Sequence, residues 1–314
     1  MFGKEPLIAD EGSNKFLTCN IDDLAKRTRY NELLAFLGRL IRPLLVGASG
    51  LTDGIHHINY YGEENLPQRD DPVLFLSPHV LHKDPMAYLW AFMHARKKIV
   101  SPVAGIESFS RDFERLEARL LGSTFTMRYR ANASEYETRV IKKIREQSVK
   151  AAIQKAVNGE DQWMCPEGTF SPDLNAMLGF WNGWGEIIRG AKDQGVDIVA
   201  IPAVAVYKPS ENLKTIDEVN MQFFEPFDIS TYATPTAASN VLRKYLMAEK
   251  ERMNNKFNPD MTPDLWRRFW LTQKHLSESY CPDYTGIFSL LYHLAERSDD
   301  LEAIRVVLAE YLEL

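Results

Sequence analysis

Cysteine is scarce in this sequence: Cys19, Cys165 and Cys281 are scattered over 314 residues. Odd in number and widely spaced, they supply neither a disulfide framework nor a paired metal-ligand motif, which points to a reducing compartment. Long apolar runs are missing too. No stretch reaches the roughly 18–20 apolar residues that a membrane-spanning helix needs. The opening Met1 to Asn14 carries acidic residues where a signal peptide would place a basic region and then an apolar run, so no leader is expected. Basic charge is not in excess: a formal net charge of -6 and a pI near 5.7 argue against nucleic acid as the main partner. Internal repeats and low-complexity tracts are also absent. These exclusions leave a cytoplasmic protein, soluble or held at a membrane surface. What is present is an ordinary globular composition, 45% hydrophobic and 25% charged, sufficient for a sizeable core.

The order of patterns along the chain suggests an α/β fold: a central mixed sheet flanked by helices, with N-terminal helices and a helical C-terminal extension. In the segment 1–50, apolar residues at Leu33, Leu37, Leu40 or Ile41, and Leu44 or Leu45 step by three and four, as a helix requires. Arg39, Arg42 and the kink expected at Pro43 interrupt it. That helix would either pack on the core or lie in a membrane surface with its arginines at the headgroups. Residues 51–230 alternate short apolar runs with helical patterns. Strands are predicted at Ile55 to Tyr61, Val73 to Ser77, Lys98 to Val103, Thr124 to Arg128, Gln162 to Cys165, Ile198 to Tyr207 and Met221 to Phe224. Helices are predicted at Asp84 to Ala95, Ile106 to Leu121, Ser134 to Val157 and Gly183 to Asp193. Over 231–314 the strands stop, and helices are expected at 236–256, 263–276 and 284–313. In Leu265-Trp266-Arg267-Arg268-Phe269-Trp270, the tryptophans either pack inward or meet a membrane or carrier-protein surface.

The segment richest in chemistry is Val73-Leu74-Phe75-Leu76-Ser77-Pro78-His79-Val80-Leu81-His82-Lys83-Asp84-Pro85. An apolar strand ends, a histidine follows at once, and an aspartate sits five residues later. Asp84 before Pro85 suits a helix start, with aspartate as N-cap and proline at the first helical position. His79 would then occupy the strand-to-helix turn, where α/β sites form. A carboxylate on one imidazole nitrogen would fix the tautomer and direct the other to accept a proton. A plain cap and turn would use the same residues. A metal site built from His79, His82 and Asp84, with His56 or His57, lacks the His-Glu-x-x-His spacing of a helical zinc site, and no metal is expected. Downstream, Gly122-Ser123-Thr124-Phe125-Thr126-Met127-Arg128 ends a short strand on an arginine, with Arg130 beyond. Guanidinium groups there suit a phosphate, or simply solvent. Trp163-Met164-Cys165-Pro166-Glu167-Gly168-Thr169-Phe170-Ser171 runs from a strand into a tight loop. There Gly168 permits close backbone approach and Glu167 supplies a carboxylate. Cys165, at an apolar strand end, reads as a structural thiol rather than a nucleophile.

In order and spacing these segments resemble the glycerolipid acyltransferase superfamily. His79 and Asp84 match its His-x4-Asp motif. Gly122, Phe125 and Arg128 match Gly-x-x-Phe-x-x-Arg. Pro166, Glu167, Gly168, Thr169 and Ser171 match its Pro-Glu-Gly-Thr-Arg-Ser. The strand Val199 to Ala205, with Pro202, is similar to its fourth motif, and Tyr61 to Pro67 resembles its usual lead-in. Pro78 replaces the family's asparagine, Leu81 its serine, Phe170 the arginine of its third motif, and Met127 an aspartate common in its second. The resemblance implies that His79 is a general base oriented by Asp84, and that backbone N–H groups around Gly168 bind the oxyanion. It also implies substrate binding through Arg128, Gly122, Phe125, Glu167, Thr169 and Arg130. The implied donor is acyl-CoA or acyl carrier protein, with no further cofactor. The implied acceptor is a lysolipid such as lysophosphatidate, met at a membrane surface. Because of the departures, a lyso-aminolipid or a secondary-metabolite hydroxyl or amine remains an alternative acceptor, and a non-catalytic lipid-binding relative is a further alternative that the retained His79 and Asp84 argue against.

Overall fold

The computed structural model describes residues 55–68, 70–81, 84–105, 118, 122–127, 133–168 and 173–279. Residues 1–54, the expected helix over 106–121 apart from Ala118, and residues 280–314 lie outside that description. Within it, seven strands form one mixed sheet: β1 (Ile55–Tyr61), β2 (Val73–Leu76), β3 (Val100–Gly105), β4 (Thr124–Thr126), β5 (Asp161–Met164), β6 (Val199–Pro209) and β7 (Ile216–Phe223). Their order is β1-β7-β6-β2-β5-β3-β4. β2 to β6 run parallel to one another, while β7 is antiparallel to β6 and carries β1 parallel to itself. Five α-helices are described: α1 (Asp84–Arg96), α2 (Glu135–Val157), α3 (Gly183–Lys192), α4 (Pro235–Phe257) and α5 (Pro263–Ser279).

The parallel strands read as near-continuous apolar runs because both sheet faces are covered. Alternation within each strand divides the core. Val73 and Phe75 join Ile201, Ala203, Ala205 and Tyr207 on one face, under α1 and α5 through Tyr88, Phe92, Trp266 and Phe269. Leu74 and Leu76 join Ala200, Val204 and Val206 on the other, under α2, α3 and α4 through Ile153, Trp184, Leu242 and Leu246. Phe75 and Phe92 stack with ring centroids 4.0 Å apart. The last two described helices, α4 and α5, therefore cover opposite faces of the same sheet.

Local signals set the helix starts. Ser134 and Glu137 form a reciprocal capping box at α2. Thr234 caps α4, with Pro235 at its first position. β7 begins five residues before the expected Met221, because the polar Asp217, Glu218 and Asn220 disguise it. Those residues belong in the sheet by pairing across it: Asn59 donates to Glu218 at 2.6 Å and to Asn220 at 3.3 Å, and Tyr61 donates to Asn220 at 3.2 Å. β4 ends at Thr126 rather than Arg128.

Candidate active site

β2 and β5 are neighbours in register, with Leu76 opposite Met164. The loops that leave their carboxyl ends, Ser77 to Leu81 and Cys165 to Gly168, therefore emerge side by side, where open α/β sheets form their sites. His79 sits in the first loop with its side chain 15% exposed, and its Nδ1 lies 3.2 Å from Oδ2 of the fully buried Asp84. Asp84 does more than start a helix. Its Oδ2 also accepts the backbone N–H of Val80 and that of Leu81, the latter at 3.0 Å, so the carboxylate closes the turn that carries the histidine. Its Oδ1 accepts the Tyr207 hydroxyl. These bonds run back toward the turn and across to β6, whereas an N-cap would serve the first turn of its own helix.

Tyr207 reaches Asp84 because β6 is much longer than β2. With Leu76 opposite Pro202, β6 continues past the end of β2 and flanks the His79 turn. Its alternate residues face α1: the Ala205 N–H donates to the Tyr88 hydroxyl at 3.1 Å, and Tyr207 follows two positions on. Burial, then the Asp84 charge, push the Tyr207 phenol well above its usual range, so it stays a donor. Below His79 lies Trp163, edge-on at 6.5 Å, whose indole N–H donates to Ser77 at 2.7 Å.

Glu167 ties the second loop to the first. It is 2% exposed. One oxygen accepts the Leu178 N–H at 2.7 Å, and the other lies 3.4 Å from the His79 N. Desolvation pushes its carboxyl up to about 7. Behind it α4 contributes Lys250, whose ammonium burial lowers to about 8 and which donates to the Asp173 carbonyl at 3.1 Å. Asn254 and Arg243 of the same helix bind the carbonyls of Leu174 and Met177, so α4 grips the segment over 173–178 along its length.

Other expected site residues make structural contacts. Glu167, held by backbone donors and almost wholly buried, joins the two loops as a strut. Gly168 adopts a left-handed conformation at φ +67, and its own N–H closes a turn onto the Cys165 carbonyl at 3.0 Å. Phe125 packs with Ala118, Met127, Ile141 and Ile144 in a satellite core, because β4 needs an apolar anchor against α2. Gly122 supplies a positive φ of 72 in the turn before β4, and its carbonyl accepts Lys155. Both help to build that strand. Arg128, Arg130, Thr169, Phe170, Ser171 and His82 lie outside the described residues. Cys165 keeps partial exposure, yet the protein around its thiol desolvates it. That burial, followed by the charges of Asp84 and Glu167, pushes it well above its usual range and opposes a thiolate nucleophile. His56 pairs with Asp217 at 3.5 Å on β1 and β7, with β6 between them and the His79 strand.

Residues 57–206 match the family model described as Acyltransferase. That span, just under half of the chain, is what is similar to the acyltransferase family. The matched span includes Pro78 to Asp84, Gly122 to Arg128, Pro166 to Ser171 and Val199 to Ala205, and it ends one residue before Tyr207. Among solved structures the chain is similar to the crystal structure of the 1-acyl-sn-glycerophosphate (LPA) acyltransferase PlsC from Thermotoga maritima. Identity is 16%, the alignment covers 71% of this chain and 96% of that one, and the TM-score is 0.44. No curated protein matches the chain. Among the described residues, no helix is long and apolar enough to cross a membrane.

Proposed function

We propose that this acyltransferase moves a fatty acyl group from acyl-CoA or acyl carrier protein to a hydroxyl of a glycerolipid-type acceptor such as lysophosphatidate. The observation that carries the reading is the His79 Nδ1–Asp84 Oδ2 contact of 3.2 Å at the carboxyl end of β2, inside the family-matched span. With Nδ1 turned to the carboxylate, Nε2 takes the proton of the acceptor hydroxyl, and Asp84 stabilises the resulting imidazolium. The acceptor oxygen attacks the thioester carbonyl directly. Collapse of the tetrahedral intermediate breaks the C–S bond, and the thiolate recovers the proton from His79. No acyl-enzyme forms, consistent with a Cys165 thiol held protonated. The chain leaves β4 on the same sheet edge, three strand spacings from β2, or ~14 Å. Arg128 and Arg130 follow β4 and are the groups proposed to bring an acceptor phosphate within reach, while its hydroxyl lies at His79. Work at a membrane surface fits an amphiphilic acceptor that partitions into bilayers. A lyso-aminolipid or other phosphate-free acceptor is the second reading, favoured by Phe170 standing where the resemblance expects arginine.

The test offers purified protein several acyl-thioesters with lysophosphatidate, its dephosphorylated counterpart and a lyso-aminolipid, with mass spectrometry of the products. Acyl transfer by the wild type should fall by roughly 10²–10⁴-fold in His79→Ala with acceptor binding retained. A His79→Ala protein that keeps most of its turnover would remove the mechanism.

A further inference from the structure

The helix α5 lies wholly beyond the family-matched residues 57–206, yet it touches the catalytic turn. Its indole donor, Trp270 Nε1, lies 2.8 Å from the backbone carbonyl of Val80, the residue directly after His79. The peptide joining Val80 to Leu81 is thereby held at both ends. Its carbonyl accepts from Trp270, and its N–H donates to Asp84 at 3.0 Å. Rotation of that peptide would break both bonds and take one donor from the carboxylate that orients His79. The indole itself is firmly placed, because α5 buries Trp266 and Phe269 in the core on this face. Gln273, one turn on, donates to the Leu213 carbonyl at 2.9 Å.

We propose that Trp270 is a positioning residue for acyl transfer, locking the Val80–Leu81 peptide so that Asp84 and His79 keep their relative geometry. The C-terminal extension then completes the active site instead of merely covering the sheet. This role rests on the proposed function, since it acts through His79 and Asp84.

The experiment compares wild type, Trp270→Phe and Gln273→Ala. Phenylalanine keeps a ring in the half-buried slot and removes the donor, whereas Gln273→Ala loosens α5 at a point away from the turn. Steady-state kinetics would use palmitoyl-CoA with lysophosphatidate, or whichever pair from the substrate panel the wild type turns over. Amide hydrogen exchange is followed over residues 74–81. Trp270→Phe should lower kcat roughly tenfold with both KM values nearly unchanged, the scale of one lost hydrogen bond. It should also speed exchange at Val80 and Leu81, while Gln273→Ala changes neither. Unaltered exchange in Trp270→Phe overturns the proposal. So does a raised KM with intact kcat, which would put the indole on substrate, or an equal kcat loss in both variants, which would reduce the effect to a looser helix. If Trp270→Phe does not fold, Trp270→Leu, also apolar and without a donor, is read by the same two assays. A wild type that transfers no acyl group would defeat the functional reading, while the exchange measurement would still decide whether Trp270 holds the turn.

Discussion

Asp84 is a fully buried carboxylate whose stability depends on its donors: the His79 ring, two backbone N–H groups and the Tyr207 hydroxyl. A buried charge with those partners is tolerable; one stripped of a partner is costly. Tyr207→Phe preserves the ring and deletes the O–H, leaving Oδ1 without that donor. It should reduce stability by about 1.5–3 kcal/mol, the usual scale for a hydrogen bond to a charged group, in urea denaturation. Turnover should fall as well, since the carboxylate that aims His79 gains freedom. A variant as stable as the parent would show that water or a neighbour replaces the phenol. Tyr207 was legible as a strand residue, not as a partner of Asp84. Nothing in a tyrosine 123 positions away marks it, and only the overreach of β6 past β2 brings them together.

At the scale of elements, most strands and helices could be read from the sequence because apolar residues recur with the period each requires. The failures have specific causes. β7 was half missed because its polar residues find partners across the sheet on β1, a pairing that no local window contains. The joint between β1 and the rest of the domain rests on Gly62, at φ +82. A Cβ there would lie 2.1 Å from the Phe223 carbonyl oxygen, a backbone atom that cannot swing aside. Gly62→Ala should therefore destabilise by more than about 2 kcal/mol, combining left-handed strain with steric displacement. Thermal unfolding would check this; a Tm within a degree of the parent would mean that the edge strands shift at little cost. The Trp266 to Trp270 run illustrates the opposite case. Helical spacing allowed inward packing or a surface contact, and the core position of Trp266 and Phe269 selects the former.

For the whole molecule, the buried Glu167 and Lys250 make stability depend on pH. Folded Glu167 keeps its proton to about 7, against an ordinary value of 4.5, so between those limits the folded state binds more protons than the unfolded one. Its contribution therefore falls as pH rises through that window and is lost above about 7. Lys250, lowered to about 8 from 10.5, has the opposite slope, its penalty relaxing as pH rises above about 8. Glu167→Gln should flatten the decline in urea midpoint between pH 5 and pH 7; an unchanged slope would assign the decline to other groups. By itself the sequence determined the α/β class, most element positions and the pairing of His79 with Asp84. Each rests on local periodicity or on residues five apart in one strand-to-helix turn. Only the tertiary structure decided that Glu167 is a strut, that Phe125 is core and that Tyr207 and Trp270 hydrogen-bond to Asp84 and to the turn that carries His79. Those roles depend on which backbone groups meet across the fold, and strand register and helix docking, not local spacing, bring them together.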